Sequence, residues 1–152
     1  MSRVQLALNV DNVDDAVAFY AKLFGTQPAK RRDGYANFAI ANPPLKLVLL
    51  ENPGQGGSLN HLGVEVEDVD MVDAEQSRLA AQGLASTDER GTTCCYAKQD
   101  KFWVQGAPNG EPWEIYTVLA DSPTFGDDSD AQAQCCGSDA SQAGEPAAAV
   151  CC

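Results

Sequence analysis

An internal repeat constrains the fold of this chain more than any other sequence feature. Residues 2–24 and 58–80 align without a gap at an offset of 56, with seven identical pairs. Self-similarity of this length indicates one supersecondary unit that is used twice. A chain of 152 residues suits two such modules sharing one core. The identical pairs are Ser2/Ser58, Leu6/Leu62, Val10/Val66, Val13/Val69, Asp14/Asp70, Ala18/Ala74 and Leu23/Leu79.

Each repeat begins with a strand pattern and continues with a helix pattern. Large apolar residues alternate over residues 4–10 and then recur at helical spacing from Val13 to Phe24. Asn12 or Asp11 is placed to cap the start of this helix, and Gly25 is placed to end it. The matching signals of the second repeat are the strand Leu62–Val66, Asp68 before the helix and Gly83 after it.

Short strand-like runs follow both predicted helices, and turn sequences separate them. The pattern predicts an α+β fold made of two βαβββ modules, over residues 1–53 and 58–120, joined by a Gly-rich linker. The runs are Ala29–Arg31, Tyr35–Ile40 and Leu45–Leu50 in the first module, and Ala85–Glu89, Thr92–Ala97, Phe102–Gln105 and Trp113–Leu119 in the second.

Residues 121–152 differ from the rest in composition, with six acidic residues and no Lys or Arg. Their few apolar side chains cannot bury enough surface to offset chain entropy, so we predict a disordered acidic tail that contains cysteines. The net charge of −12 disfavours binding to nucleic acid or to anionic membranes. No apolar run is long enough to span a bilayer. We therefore expect a cytoplasmic protein, either a monomer or a homodimer.

The six cysteines form three adjacent pairs. A disulfide between neighbours closes almost no loop and is strained, so the pairs predict free dithiols in a reducing compartment. Two small buried hydrophobic residues would explain one such pair, but three pairs in one chain need another reason. The tail pairs could pass a soft metal to a site or bind one adventitiously. The pairs are Cys94-Cys95, Cys135-Cys136 and Cys151-Cys152.

Three polar side chains interrupt apolar strands at related positions. Gln5 aligns with His61, the only histidine, and Lys46 in the last strand of the first module aligns with Glu114. Polar residues on strands either face water or converge on a site. An amide oxygen, an imidazole and a carboxylate would form an open three-donor site, similar to the face that binds non-haem Fe(II). A buried hydrogen-bonded trio without a metal is the alternative.

Two βαβββ copies with polar residues on their first and last strands resemble the vicinal-oxygen-chelate superfamily of glyoxalases, bleomycin resistance proteins and dioxygenases. The resemblance implies a cupped mixed sheet that holds one metal. The fourth ligand position of the glyoxalase pattern is Lys46 in this chain, and a protonated lysine cannot ligate a metal. This departure argues against a glyoxalase-type isomerase.

Four segments further resemble the ArsI-type carbon–arsenic lyases and the related cadmium-induced CadI proteins, over residues 1–126. They are YANFAIANPPLKLVLLENPGQGG, LNHLGVEV, GTTCCYAKQDKFWV and PWEIYTVLADSPTFG. The adjacent cysteines of the third segment are the most specific mark. The roles that the resemblance implies are Fe(II) binding by Gln5, His61 and Glu114, and substrate capture by Cys94 and Cys95.

The chemistry of arsenic agrees with this resemblance. Trivalent arsenic is soft and binds thiolates, and adjacent thiols form their second bond to it at high effective concentration. Successive strand side chains point to opposite faces, so joint capture requires a loop or bulge at Cys94-Cys95, which Gly91-Thr92-Thr93 permits.

The function implied is cleavage of the carbon–arsenic bond of small trivalent organoarsenicals, such as methylarsonous acid and aromatic arsenicals. The reaction would use Fe(II) and O2 and release arsenite. A non-catalytic cadmium- or arsenic-binding protein and another dioxygenase of the superfamily stay open as alternatives.

Overall fold

The computed structural model describes residues 1–126 and contains two helices and eight strands. In chain order the elements are β1 (Arg3–Val10), α1 (Val13–Phe24), β2 (Lys30–Arg32), β3 (Tyr35–Ile40), β4 (Leu45–Glu51), β5 (Leu59–Glu65), α2 (Val69–Ala81), β6 (Ser86–Cys94), β7 (Ala97–Val104) and β8 (Trp113–Asp121). The order is βαβββ repeated twice. The predictions for residues 127–152, including Cys135-Cys136 and Cys151-Cys152, lie outside the described residues.

The strands form one mixed sheet in the order β2-β3-β4-β1-β5-β8-β7-β6. At its centre β1 pairs antiparallel with β5, and this pairing joins the two repeats. On either side, β1 pairs parallel with β4 and β5 pairs parallel with β8. The sheet curls into a half-barrel, which confirms the predicted α+β fold with a cupped mixed sheet.

Both helices pack on the convex face of the sheet. Val13 and Val17 of α1 share a core with Phe38 and Leu47, and Val72 of α2 lies in a second core. Because side chains alternate along a strand, the other phase of β1 faces the concave side. The concave face therefore receives the polar residues that interrupt the apolar pattern. Within the described residues neither helix is long and apolar enough to span a membrane.

The helix boundaries follow the predicted caps. Asn12 accepts a hydrogen bond from the Asp15 amide, and Asp68 accepts one from the Met71 amide. These side chains satisfy backbone donors that the first turn of a helix leaves without partners. Gly25 follows α1 with φ of +63°, a conformation that glycine adopts without a steric cost.

Two predicted boundaries were wrong, one between strands and one at the start of the tail. The runs Ala85–Glu89 and Thr92–Ala97 do not form separate strands, because β6 covers residues 86–94 with a register shift between Glu89 and Thr92. Residues 121–126, predicted to belong to the tail, are ordered. Strand β8 reaches Asp121, and the ring of Phe125 lies 6.4 Å from Tyr35 and 5.6 Å from Tyr96.

Candidate active site

Gln5, His61 and Glu114 meet at the centre of the concave face, on neighbouring strands β1, β5 and β8. Gln5 Nε2 lies 2.9 Å from His61 Nε2 and 2.7 Å from Glu114 Oε1, and the latter two atoms are 3.3 Å apart. All three residues are buried. The structure thus brings together the residues predicted to bind a metal, and their role as ligands stays a prediction.

The spacing of these donors fits a metal ion. Donors about 2.0–2.2 Å from an octahedral ion lie roughly 3 Å from one another, and His61 Nε2 and Glu114 Oε1 are 3.3 Å apart. The separations of 2.9 and 2.7 Å from these two atoms belong to Gln5 Nε2, whose place Oε1 takes when the amide rotates. In residues 1–126 no group of three or more His, Cys, Asp or Glu could hold a metal, so a metal bound by His61 and Glu114 would need the Gln5 amide as its third donor. Gln5 Oε1 accepts a hydrogen bond from the Tyr116 hydroxyl, so ligation through this oxygen requires the amide to rotate.

Gly63 leaves room for the three side chains to converge. It pairs with Gln5 on one side and with Glu114 on the other. A Cβ at this position would lie 3.0 Å from Glu114 Cγ and 3.4 Å from Gln5 Cβ. A larger residue would therefore displace the Glu114 side chain, so glycine at this position leaves room for the candidate site.

Glu114 is buried and ionised because a lysine lies beside it. Burial alone would raise the pKa of its carboxyl group, but the charge of Lys101 and the contacts with His61 lower this pKa to about 2. Lys101 Nζ lies 3.2 Å from Glu114 Oε2 and 3.4 Å from Glu89 Oε2. Burial lowers the pKa of Lys101, but the charges of Glu114, Glu89 and Cys95 raise it above its ordinary value. A buried ion pair therefore adjoins the three donors.

Cys94 and Cys95 meet at a tight turn. Cys94 ends β6 and pairs with Ala97, so Cys95 and Tyr96 form a two-residue hairpin loop with φ of +52° and +62°. Such loops favour Asn-Gly because both central residues have positive φ, and other residues there store strain. The two Sγ atoms lie 3.3 Å apart. The hairpin loop brings the two sulfurs together, so the chain leaves regular strand geometry at the cysteine pair, where the sequence predicted a loop or bulge.

The cysteine pair lies over the concave face. Cys95 packs against a cluster that includes Ala7 and Tyr35, and Ala7 faces the same side of β1 as Gln5 because it follows two residues later. Burial and the charge of Cys95 both raise the pKa of Tyr35, and the same charge acts on Lys101. Cys95 and the three donors therefore lie on the same side of the sheet, towards the hollow of the half-barrel.

Comparison with known proteins identifies the family. Residues 3–115 match the Glyoxalase/Bleomycin resistance protein/Dioxygenase superfamily. The chain belongs to this superfamily. Cadmium-induced protein CadI of Mycobacterium tuberculosis is 63% identical over 142 residues, which cover 90% of this chain and 93% of that protein. The trivalent organoarsenical cleaving enzyme of Thermomonospora curvata is 54% identical over 153 residues, covering 100% of both chains.

Solved structures of the superfamily share the fold at low sequence identity. The Mn(II)-bound glyoxalase from Novosphingobium aromaticivorans superposes with a TM-score of 0.54 at 19% identity, over 80% of this chain and 42% of that chain. These comparisons confirm the resemblance stated from the sequence.

Lys46, at the fourth ligand position of the superfamily's glyoxalase pattern, serves a different partner here. Its Nζ lies 3.0 Å from Glu65 Oε2, and Arg3 contacts the other oxygen of Glu65 at 2.9 Å. Burial raises the pKa of Glu65, but Lys46, Tyr116 and Arg3 together lower it below its ordinary value. The Tyr116 hydroxyl, 2.9 Å from Glu65, also contacts Gln5. This network contacts Gln5 through Tyr116 and pairs Lys46 with Glu65. The candidate donors are therefore three: Gln5, His61 and Glu114.

Sequence reasoning left Lys101 between a residue that covers the substrate and a surface charge, and it placed Tyr116 in the core, so it missed their contacts with the candidate donors. Lys101 follows three polar residues of β7 and precedes Phe102, and a lysine in such a setting is usually a solvated surface charge. Tyr116 shares the concave phase of β8 with Glu114 and is fully buried, so its ring is indistinguishable from a core residue in the sequence. The signal for both was their phase relative to Glu114.

We expect acid to destabilise the protein as Glu114 becomes protonated. The pKa of Glu114 is about 2 in the folded state against an ordinary value of 4.5. The stabilisation is therefore complete above that ordinary pKa and is lost as the pH falls towards 2. This shift corresponds to a stabilisation on the order of 3 kcal/mol. Urea unfolding across this pH range measures it, and Glu114→Gln should lose less stability than wild type. Equal losses in both proteins would contradict the assignment.

Proposed function

We propose that this chain cleaves the carbon–arsenic bond of trivalent organoarsenicals and releases arsenite. It would use Fe(II) held by Gln5, His61 and Glu114, with O2 as co-substrate. The observation that carries the proposal is the paired sulfurs, 3.3 Å apart, over the face that holds three metal-type donors. Identity of 54% over the full length of a relative named for organoarsenical cleavage supports the same reaction.

Cys94 and Cys95 would bind the arsenic of the substrate through both sulfurs. Their turn fixes the sulfurs on one side, so the second sulfur–arsenic bond forms within a preset geometry. Cys94 is disulfide-bonded in the structure, which corrects the free dithiol predicted for this pair. Capture by both sulfurs therefore requires the reduced protein. Arsenic held this way presents its carbon substituent to the hollow that the three donors line.

The three donors fit an ion with open positions. When bound, Fe(II) would supply the activation of dioxygen. Lys101 keeps the Glu114 carboxylate ionised. After the Gln5 amide rotates, its Nε2 would donate to the Tyr116 hydroxyl, which would in turn donate to Glu65. For methylarsonous acid, consumption of one O2 gives arsenite and formaldehyde, which balances every atom.

An aromatic cluster beside Cys95 would shield bound substrate from solvent. The rings of Tyr35, Tyr96 and Phe125 contact one another at centroid distances of 5.3 to 6.4 Å. Excluding water protects reactive species during oxygen chemistry. Trp103 lies beside His61 at 5.7 Å, and its buried indole N–H has no hydrogen-bond partner within residues 1–126. This donor is available to a substrate oxygen.

The decisive experiment is turnover with defined arsenic species. The reduced protein is loaded with Fe(II) without oxygen and mixed with methylarsonous acid, and O2 is then admitted. We expect arsenite to appear in proportion to the O2 consumed, as measured by arsenic speciation. If no arsenite forms with Fe(II) or any other divalent metal, the proposal is wrong.

Variants of the cysteine pair separate capture from cleavage. We expect Cys95→Ser to weaken binding of the arsenical by about 10²-fold or more, because one sulfur cannot chelate. His61→Ala should still bind the arsenical but release no arsenite. Arsenical binding by fluorescence and arsenite release, measured on the same samples, check both statements.

The cadmium-induced relative, 63% identical, motivates a soft-metal binding protein as the second candidate. In that case His61→Ala would protect cells from arsenicals as well as wild type does. If the double Cys94→Ser/Cys95→Ser variant keeps wild-type turnover of organoarsenicals, capture of the arsenic by the two thiols is excluded.

A further inference from the structure

We infer that Asn60 and Asn9 are positioning residues that fix the tautomer of His61, with the proton on Nδ1 and Nε2 directed into the donor triad. The inference deepens the proposed function, and its consequence for metal affinity rests on that function. The tautomer itself can be measured without any metal.

A chain of hydrogen bonds leads away from His61. His61 Nδ1 lies 2.7 Å from Asn60 Oδ1, and Asn60 Nδ2 donates to Asn9 Oδ1 at 3.0 Å. Asn9 Nδ2 donates to Ser58 Oγ at 2.9 Å, and the Ser58 hydroxyl donates to the backbone carbonyl of Gln55 at 2.7 Å. Four consecutive links therefore join the imidazole to the main chain.

The backbone carbonyl of Gln55, at the end of this chain, decides which group donates and which accepts in every hydrogen bond. A backbone carbonyl only accepts, so the Ser58 hydrogen points to Gln55 and its oxygen must accept from the amino group of Asn9. The Asn9 carbonyl then faces Asn60 and requires the amino group of that residue. The Asn60 carbonyl is left facing the imidazole, which must therefore carry its proton on Nδ1.

A β-bulge makes the first link possible. In the pairing of β1 with β5, Ala7 lies opposite His61 and Leu8 lies opposite Leu59, so Asn60 has no opposite residue. Adjacent residues of a regular strand point to opposite faces, and a bulge redirects one of them. Asn60 and His61 can therefore contact each other although they are neighbours in sequence.

The chain of hydrogen bonds lies on the same side as the candidate site, and its burial decreases away from the imidazole. His61 and Asn9 are 1% and 7% exposed, Asn60 and Ser58 are half-buried, and Gln55 is exposed. A histidine that binds a metal through Nε2 must carry no proton there. Such outer partners typically change metal affinity by about 10–100-fold when they are removed.

NMR of the metal-free protein tests the tautomer directly. Because the chain has one histidine, labelling histidine with ¹⁵N gives the signals of a single imidazole, and protonated and unprotonated ring nitrogens are well separated. At a pH where the ring is neutral, we expect a protonated Nδ1 and an unprotonated Nε2. A wild-type spectrum with the proton on Nε2 would overturn the inference.

Two substitutions of Asn9 form a matched pair. Asn9→Asp keeps an acceptor for the amino group of Asn60, so the wild-type tautomer should persist. Asn9→Leu removes that acceptor, and Asn60 can then turn its amino group towards Nδ1. We expect Asn9→Leu and Asn60→Leu to shift the proton to Nε2, where Glu114 accepts it. An unchanged spectrum for folded Asn9→Leu would refute the role of Asn9.

Metal titration supplies the second readout. Anaerobic Fe(II) titration should give affinities about 10–100-fold weaker for Asn9→Leu and Asn60→Leu, and near wild type for Asn9→Asp. If wild type binds no metal, the proposed function fails while the NMR result still decides the tautomer. Circular dichroism confirms folding, and the Asn9 pair carries the test if Asn60→Leu does not fold.

Discussion

Replacing Lys101 with methionine is expected to destabilise the protein by about 3–5 kcal/mol. Lys101 and Glu114 are 0% and 2% exposed, so the substitution leaves a buried carboxylate without its cation. Methionine keeps the length and most of the apolar volume of lysine, so the loss comes from the charge. The free energy of unfolding in urea near neutral pH measures the effect.

The controls for this prediction separate charge from packing. Lys101→Met combined with Glu114→Gln neutralises both partners, and we expect it to recover most of the stability because contacting residues are not additive. Arg78→Met breaks the exposed pair with Glu75 and should change stability little, because exposed ion pairs contribute little. A Lys101→Met protein as stable as wild type would show that the buried carboxylate does not depend on this lysine.

Replacing His61 with alanine is expected to lower Fe(II) affinity by more than about 100-fold, beyond the effect of losing an outer-shell partner. The substitution removes one of three protein donors, and its neighbours Gln5 and Glu114 cannot hold the ion in a defined geometry alone. Arsenite release should fall below detection for the same reason. Anaerobic Fe(II) titration gives the affinity, and arsenic speciation gives the activity.

Asn109→Ala provides the control for this substitution because Asn109 lies in an exposed turn before β8. Its metal affinity and turnover should match wild type. If His61→Ala binds Fe(II) as tightly as this control, the metal site lies elsewhere. The buried trio would then be a hydrogen-bonded network without a metal, which is the alternative that the sequence leaves open.

The internal repeat in the sequence predicted most of the fold, and it also predicted where the three donors lie. Gln5 and His61 occupy equivalent positions in strands that pair with each other, so a gapless alignment was enough to place them together. Glu114 followed because the last strand of each module lies beside its first. These relations depend on which face of the sheet each side chain points to, and the two-residue alternation in the sequence indicates that face.

Features that depend on pairing partners were not visible in the sequence. The bulge at Asn60 exists only relative to β1, and the gapless alignment of the repeats contains no sign of it. The hairpin loop at Cys95-Tyr96 lacks the Asn-Gly signal of its turn type. The predicted strand nearest Lys101 began at Phe102, after this lysine, so its inward phase could not be assigned.

The three donors come from both repeats, with Gln5 from the first and His61 and Glu114 from the second. An ion that binds all three would bind only when β1 and β5 are paired, so thermodynamic linkage couples its capture to the docking of the two halves. At 100 times its dissociation constant, such an ion would strengthen that docking by about 2.7 kcal/mol. If the chain is cut within residues 52–57, the two fragments should therefore associate more tightly in the presence of the metal, because the ion would bridge the two repeats.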